Sequence, residues 1–179
     1  GESAPFYEDL EWHLRKSESH QTPFTSAVPL FRAMAVAVED IVEETMPTRI
    51  ARHRRQAAAF RAGFTAMGLD LFADATGQTD LSNTVTSVSL PDAVSGDDAD
   101  EFFDGVDARN VSISGGQGHL GGTIFRVSNM GGLPDEAILR GVRTVGEAMD
   151  DAGVDVDVAA GIAAAEGELD VTETASADD

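Results

Sequence analysis

The chain has 179 residues, enough for one domain with a sizeable core, and 42% hydrophobic content with a mean hydropathy of -0.13 fits a globular protein in water. Thirty-two acidic residues oppose twelve basic ones, and the formal net charge of -20 repels nucleic acid and anionic lipid as partners. No cysteine is present to form a disulfide, a thiolate metal site or a thiol nucleophile, and no uncharged apolar run of 18 residues exists to span a membrane as a helix.

In chain order, residues 6–16 form a candidate short helix between Pro5 and Pro23. Leu30, Met34, Val38 and Ile41 then repeat at spacings of four, four and three, which lines one face of a second helix. Thr25 or Ser26 is placed to cap it, and Pro29 is tolerated in its first turn. Beyond Pro47 a third helix is predicted over 48–67, with Ile50, Ala57, Phe60, Phe64 and Met67 on one side and Gly68 as its stop. Residues 69–72 and 84–90 are short apolar or β-branched runs bounded by turn residues, hence strands. An acidic helix is expected over 97–106 with Phe102 and Phe103 inward, followed by strands at 111–113 and 123–127 flanking a glycine-rich loop. The last helix starts at Pro134, carries Asp135 and Glu136 at its N-terminus, aligns Ile138, Val142, Val145 and Met149, and stops at Gly153. Residues 154–179 are rich in Ala, Asp and Glu with little periodicity and are read as an acidic disordered tail. The order implies an α/β or α+β domain with helices over one face of a short sheet.

These periodic segments set the acid excess apart from that of a disordered chain and point to a halophilic protein kept soluble by its carboxylates. Gly1 is followed by no basic and then apolar leader, so the expectation is a cytoplasmic protein whose true start lies upstream.

Among motifs that carry chemistry, residues 116–121 satisfy the letters GxGxxG. A dinucleotide site needs a helix N-terminus after that loop, and here the strand-like Thr123-Ile124-Phe125-Arg126-Val127 follows. The four histidines, His13, His20, His53 and His119, have no metal-ligand spacing. Ser112, Ser114 and Ser128 lie in no nucleophile elbow. Arg52-His53-Arg54-Arg55 is a basic cluster on a helix, expected to form a local salt-bridging face. Arg126 stands out as a guanidinium inside an apolar strand. Its planar fork suits a carboxylate, either that of a ligand or that of an internal acid, and composition alone favours the internal ion pair.

Three stretches carry a family resemblance. Thr22-Pro23-Phe24-Thr25-Ser26-Ala27-Val28-Pro29-Leu30-Phe31 resembles the segment entering the small domain of alanine–glyoxylate, serine–pyruvate and serine–glyoxylate aminotransferases, the class V aminotransferases of fold type I. Arg52-His53-Arg54-Arg55-Gln56-Ala57 with Ala66-Met67-Gly68-Leu69-Asp70-Leu71-Phe72 is similar to their second long helix and the strand after it. Residues 111–118, then Gly122-Thr123-Ile124-Phe125-Arg126-Val127 and Met130-Gly131, resemble their glycine loop and arginine strand.

The resemblance, covering residues 6–151, implies the C-terminal domain of an enzyme that uses pyridoxal 5'-phosphate to move an amino group between a small α-amino acid and a 2-oxo acid. It divides the chain into a connecting segment, 1–24, a small domain, 25–153, and the tail. It implies that Arg126 grips the substrate carboxylate, that Gly115, Gly116 and Gly118 shape the loop near the substrate, and that Thr25, with Thr22 as a weaker second candidate, reaches the cofactor phosphate of a neighbouring subunit in a homodimer with shared active sites. Lys16, the sole lysine, does not match the cofactor-binding lysine. The aspartate and the aromatic residue that hold the cofactor ring have no counterpart either, so the large domain is missing. Two other readings stay open: lyase or desulfurase chemistry on the same fold, disfavoured without a cysteine, and a non-catalytic domain acting in folding or dimerisation.

Overall fold

The computed structural model describes residues 5–170. Contacts divide the chain into two compact units, Gly1–Met46 and Pro47–Asp179.

The first unit holds two helices. α1, Leu10–Ser17, is capped by Asp9, whose carboxylate accepts the Trp12 amide at 3.0 Å. Phe6, Tyr7, Trp12, His13 and Phe24 cluster edge to face and tilted at centroid distances of 4.7–6.3 Å, which ties the loop after α1 back to its start. α2, Val28–Glu44, follows. Its N-cap is Ala27 with no side-chain bond, so neither Thr25 nor Ser26 serves as the predicted cap. None of its residues is buried.

The second unit is built on α3, Met46–Ala66, which ends where Gly68 turns to φ +91°. Three antiparallel strands follow: β1, Val85–Ser89, β2, Ser114–Gly115, and β3, Ile124–Ser128, in the order β1-β3-β2 with β3 central. Between β1 and β2 lies α4, Ala99–Asp107. α5, Asp135–Asp151, and α6, Val158–Leu169, close the unit. Alternation along the strands sets the core. Thr86 and Val88 pair with Val127 and Phe125, and all four are buried. Phe125 meets Phe64 of α3 edge to face at 5.5 Å and Phe102 of α4 at 5.3 Å, while Ile138, Val142, Val145 and Met149 of α5 are fully buried in the same cluster. Helices on one face of a short sheet is the architecture expected.

Several boundaries differ from the sequence reading. Residues 69–72 contribute one bridge, Leu71 to Val88, not a strand, and the strand predicted at 111–113 forms instead at Ser114–Gly115. Ile50, expected on the inner face of the third helix, is 41% exposed. The disordered tail gives way to α6 over Val158–Leu169. Asp157 caps that helix by accepting the Ala160 amide at 2.9 Å, and Ala165 is fully buried. Residues 171–179 of the expected tail lie outside the described residues.

Candidate functional site

β3 places Arg126 between Ser87 of β1 and Ser114 of β2. Because neighbouring residues on a strand point to opposite faces, this Ser–Arg–Ser row lies on the face away from Phe125, Val127 and the helices. The guanidinium is part-buried, and its partner is a backbone group: Nε and Nη2 both donate to the carbonyl oxygen of Gly115, at 3.0 and 2.8 Å. Among the described residues Arg126 has no acidic partner, so the internal ion pair that composition favours does not form. Two of the five guanidinium hydrogens are used, and both belong to the Nε side of the fork. The Nη1/Nη2 end remains, a bidentate donor already fixed in orientation.

The glycine loop supplies that carbonyl. Gly116 donates its amide to Ile124 O at 3.1 Å, and a Cβ on it would meet Leu120 O at 1.9 Å, so the loop closes only on glycine. Gly118 opens a single 3-10 turn, Gly118–Leu120, with φ +58°. No α-helix follows the loop before β3, and the GxGxxG letters therefore lack the helix N-terminus a pyrophosphate would need. Beside the row, β1 and residues 73–82 border a cleft of about 280 Å³ that includes Arg61, Asp74, Asp80 and Ser87. Burial pushes the Arg61 pKa down, partly opposed by Glu168.

In the other unit, Thr25 is exposed just ahead of α2, and its hydroxyl has no partner among the described residues. Thr22 donates to Phe24 O at 2.6 Å and lies 3.2 Å from the Ser26 hydroxyl. Lys16 sits on α1. Among the described residues no three His, Asp or Glu side chains gather as a metal site.

The basic cluster of α3 acts internally. Arg55 pairs with Asp135 at 2.8 Å, and Arg52 donates to Gly131 O at 3.0 Å. Two residues that the sequence reading gave no polar role share this contact: Gln56 and Asn129, both fully buried. Residue spacing carries no signal for them, since a carboxamide is silent until tertiary structure decides whether it is inside.

No family profile matches the chain. An uncharacterised aminotransferase of Methanocaldococcus jannaschii is 37% identical over 154 residues, 84% of this chain. The ureidoglycine–glyoxylate aminotransferase of Bacillus subtilis superposes on 94% of it with a TM-score of 0.83 and 27% identity. The chain belongs to the class V aminotransferases. The pyridoxamine–pyruvate aminotransferase of Mesorhizobium loti agrees, with a TM-score of 0.75 and 32% identity over 83% of the chain. The matched fold is that of the C-terminal portion of such enzymes. The chain spans 38%, 43% and 37% of the length of these three aminotransferases.

Proposed function

We propose that this chain is the substrate-gripping portion of a pyridoxal-phosphate-dependent aminotransferase, acting between alanine or serine and glyoxylate or pyruvate. One observation carries the reading: a part-buried guanidinium, aimed by a backbone carbonyl, keeps a bidentate fork without any acid to fill it among the described residues. Arginine is costly to hold off water in this way, and a ligand carboxylate at the fork offsets that cost. Glyoxylate and pyruvate are the acceptors named for the two aminotransferases of matching fold, and each carries such a carboxylate.

Pyridoxal phosphate, when bound, supplies the electron sink for the amino transfer. The residues present fit its phosphate end. Residues 22–31 bring three hydroxyls, Thr22, Thr25 and Ser26, to the N-terminal end of a 17-residue helix, and hold no carboxylate that would repel an anion. Thr25 is the first choice to hold it and Thr22 the second. Across a homodimer this hydroxyl pair serves the neighbouring subunit's site. The ring and the proton-moving lysine are left to the large domain, since Lys16 has no place in this arrangement. A desulfurase reading has no cysteine nucleophile in this chain. A purely non-catalytic domain leaves the preset fork of Arg126 without a use.

In the full-length enzyme, Arg126→Ala removes a charge-assisted bidentate contact worth about 3 kcal/mol, on the order of a hundredfold in amino-acid KM. Arg126→Lys, a point charge without the fork, is expected to fall between. The visible absorbance of bound cofactor should stay unchanged in both. An unchanged KM in Arg126→Ala would remove the clamp.

A further inference from the structure

Two buried carboxamides outside the proposed binding contacts share an unusual bonding pattern. Asn129 follows β3 directly and is fully buried. Its Nδ2 donates to His53 O on α3 at 3.0 Å and to Asn83 O, ahead of β1, at 3.0 Å. Its own amide donates to Thr84 O at 3.1 Å. Gln56, one turn along α3 from Arg52 and also fully buried, donates through Nε2 to Leu133 O at 2.8 Å and to Asp135 Oδ1 at 3.0 Å. In each case both amide hydrogens are used, while the side-chain oxygen, Asn129 Oδ1 or Gln56 Oε1, is buried without a partner. What these side chains supply to the protein around them is their pair of donors, and a buried donor pair fixes the acceptors it holds. Both are used as donors, and the acceptors they hold, three backbone carbonyls and the Asp135 carboxylate, belong to different parts of the fold. Arg55 and Arg52 add an ion pair to Asp135 and a hydrogen bond to Gly131 O on the same segment.

We infer that Asn129 and Gln56 are positioning residues for Arg126. They pin the chain leaving β3, residues 129–135, to α3 and to the start of β1, and so fix the C-terminal end of the strand on which Arg126 stands three residues earlier. Misplacement of a clamp by an ångström is costly in substrate binding, and a strand whose exit is loose cannot hold that tolerance. The inference rests on the reading of Arg126 as the carboxylate clamp. It gives the Arg52-His53-Arg54-Arg55-Gln56 stretch a task in the site without any contact to substrate.

The test is a double-mutant cycle in the full-length enzyme. Asn129→Ala, and separately Gln56→Met, which removes both donors and the bare oxygen at similar volume, are each expected to raise amino-acid KM on the order of tenfold. The kcat should stay within about twofold, with cofactor absorbance retained. Combined with Arg126→Ala, each is expected to add nothing further to KM, because the clamp they position is already gone. Additive effects in the cycle, equal losses in kcat, or loss of cofactor absorbance in both single variants would show a merely structural role and overturn the inference. If Arg126→Ala alone leaves KM unchanged, it is the clamp reading that fails, and the two failures are thereby told apart.

Discussion

Arg126 takes its direction from the carbonyl of Gly115, and that carbonyl is presented by a turn only Gly116 can make. At Gly116 the turn sets the residue type, whatever the loop does for a ligand. Gly116→Ala is expected to cost about 1–3 kcal/mol of stability, since the Cβ would overlap backbone atoms of Leu120 that belong to the same tight loop. It should also raise amino-acid KM by loosening Arg126; an unchanged urea midpoint would contradict the close approach. A lone charge in an apolar strand was visible in the sequence as an anomaly, but its partner was not. A side chain bonded to a carbonyl 11 residues away depends on how the intervening loop closes. Gln56 and Asn129 were silent for the same reason, since burial of a carboxamide is decided by tertiary packing.

At the scale of elements, helices with a strong apolar stripe were legible almost to their ends. α5 buries the four residues its periodicity names. α6 gives no periodic signal because Val158-Ala159-Ala160-Gly161-Ile162-Ala163-Ala164-Ala165 has no contrast between faces, and small residues are what its packing needs. A Cβ on Gly161 would stand 2.9 Å from Gly63 O and 2.4 Å from Met67 Cγ, so α6 crosses α3 at close to backbone contact. Gly161→Leu should therefore lower stability by about 1–3 kcal/mol or more. Gly167 on the same helix has nothing within 4 Å of such a Cβ, and Gly167→Ala should raise stability by roughly 0.5–1 kcal/mol. Thermal denaturation of the pair separates a packed helix from an appended one; equal small effects would contradict the packing. The strands were harder to bound. β2 is two residues long, too short for a period to declare itself, and residues 69–72 make a single bridge that sequence alternation does not distinguish from a strand.

For the whole molecule, two features point beyond this chain. α2 exposes Leu30 at 71%, Phe31 at 60%, Met34 at 59% and Val42 at 72%. Apolar surface of this extent on one helix is the kind that association covers, and the chain spans less than half the length of its relatives. The charge of -20 is the other. We propose a salt-dependent fold: self-repulsion is screened over roughly 10 Å at 0.1 M salt and about 3 Å at 1 M. The melting temperature of the full-length enzyme should rise steadily between these concentrations, and a flat profile would count against a halophilic habit. Both features concern the setting of the site, whereas the proposed carboxylate clamp rests on the orientation of Arg126. The most direct measurement is carboxylate discrimination: binding of alanine against alaninamide in the full-length enzyme, with and without Arg126. Arg126 as the clamp predicts a preference for alanine on the order of a hundredfold that collapses in Arg126→Ala. A preference that survives the substitution would place the carboxylate elsewhere.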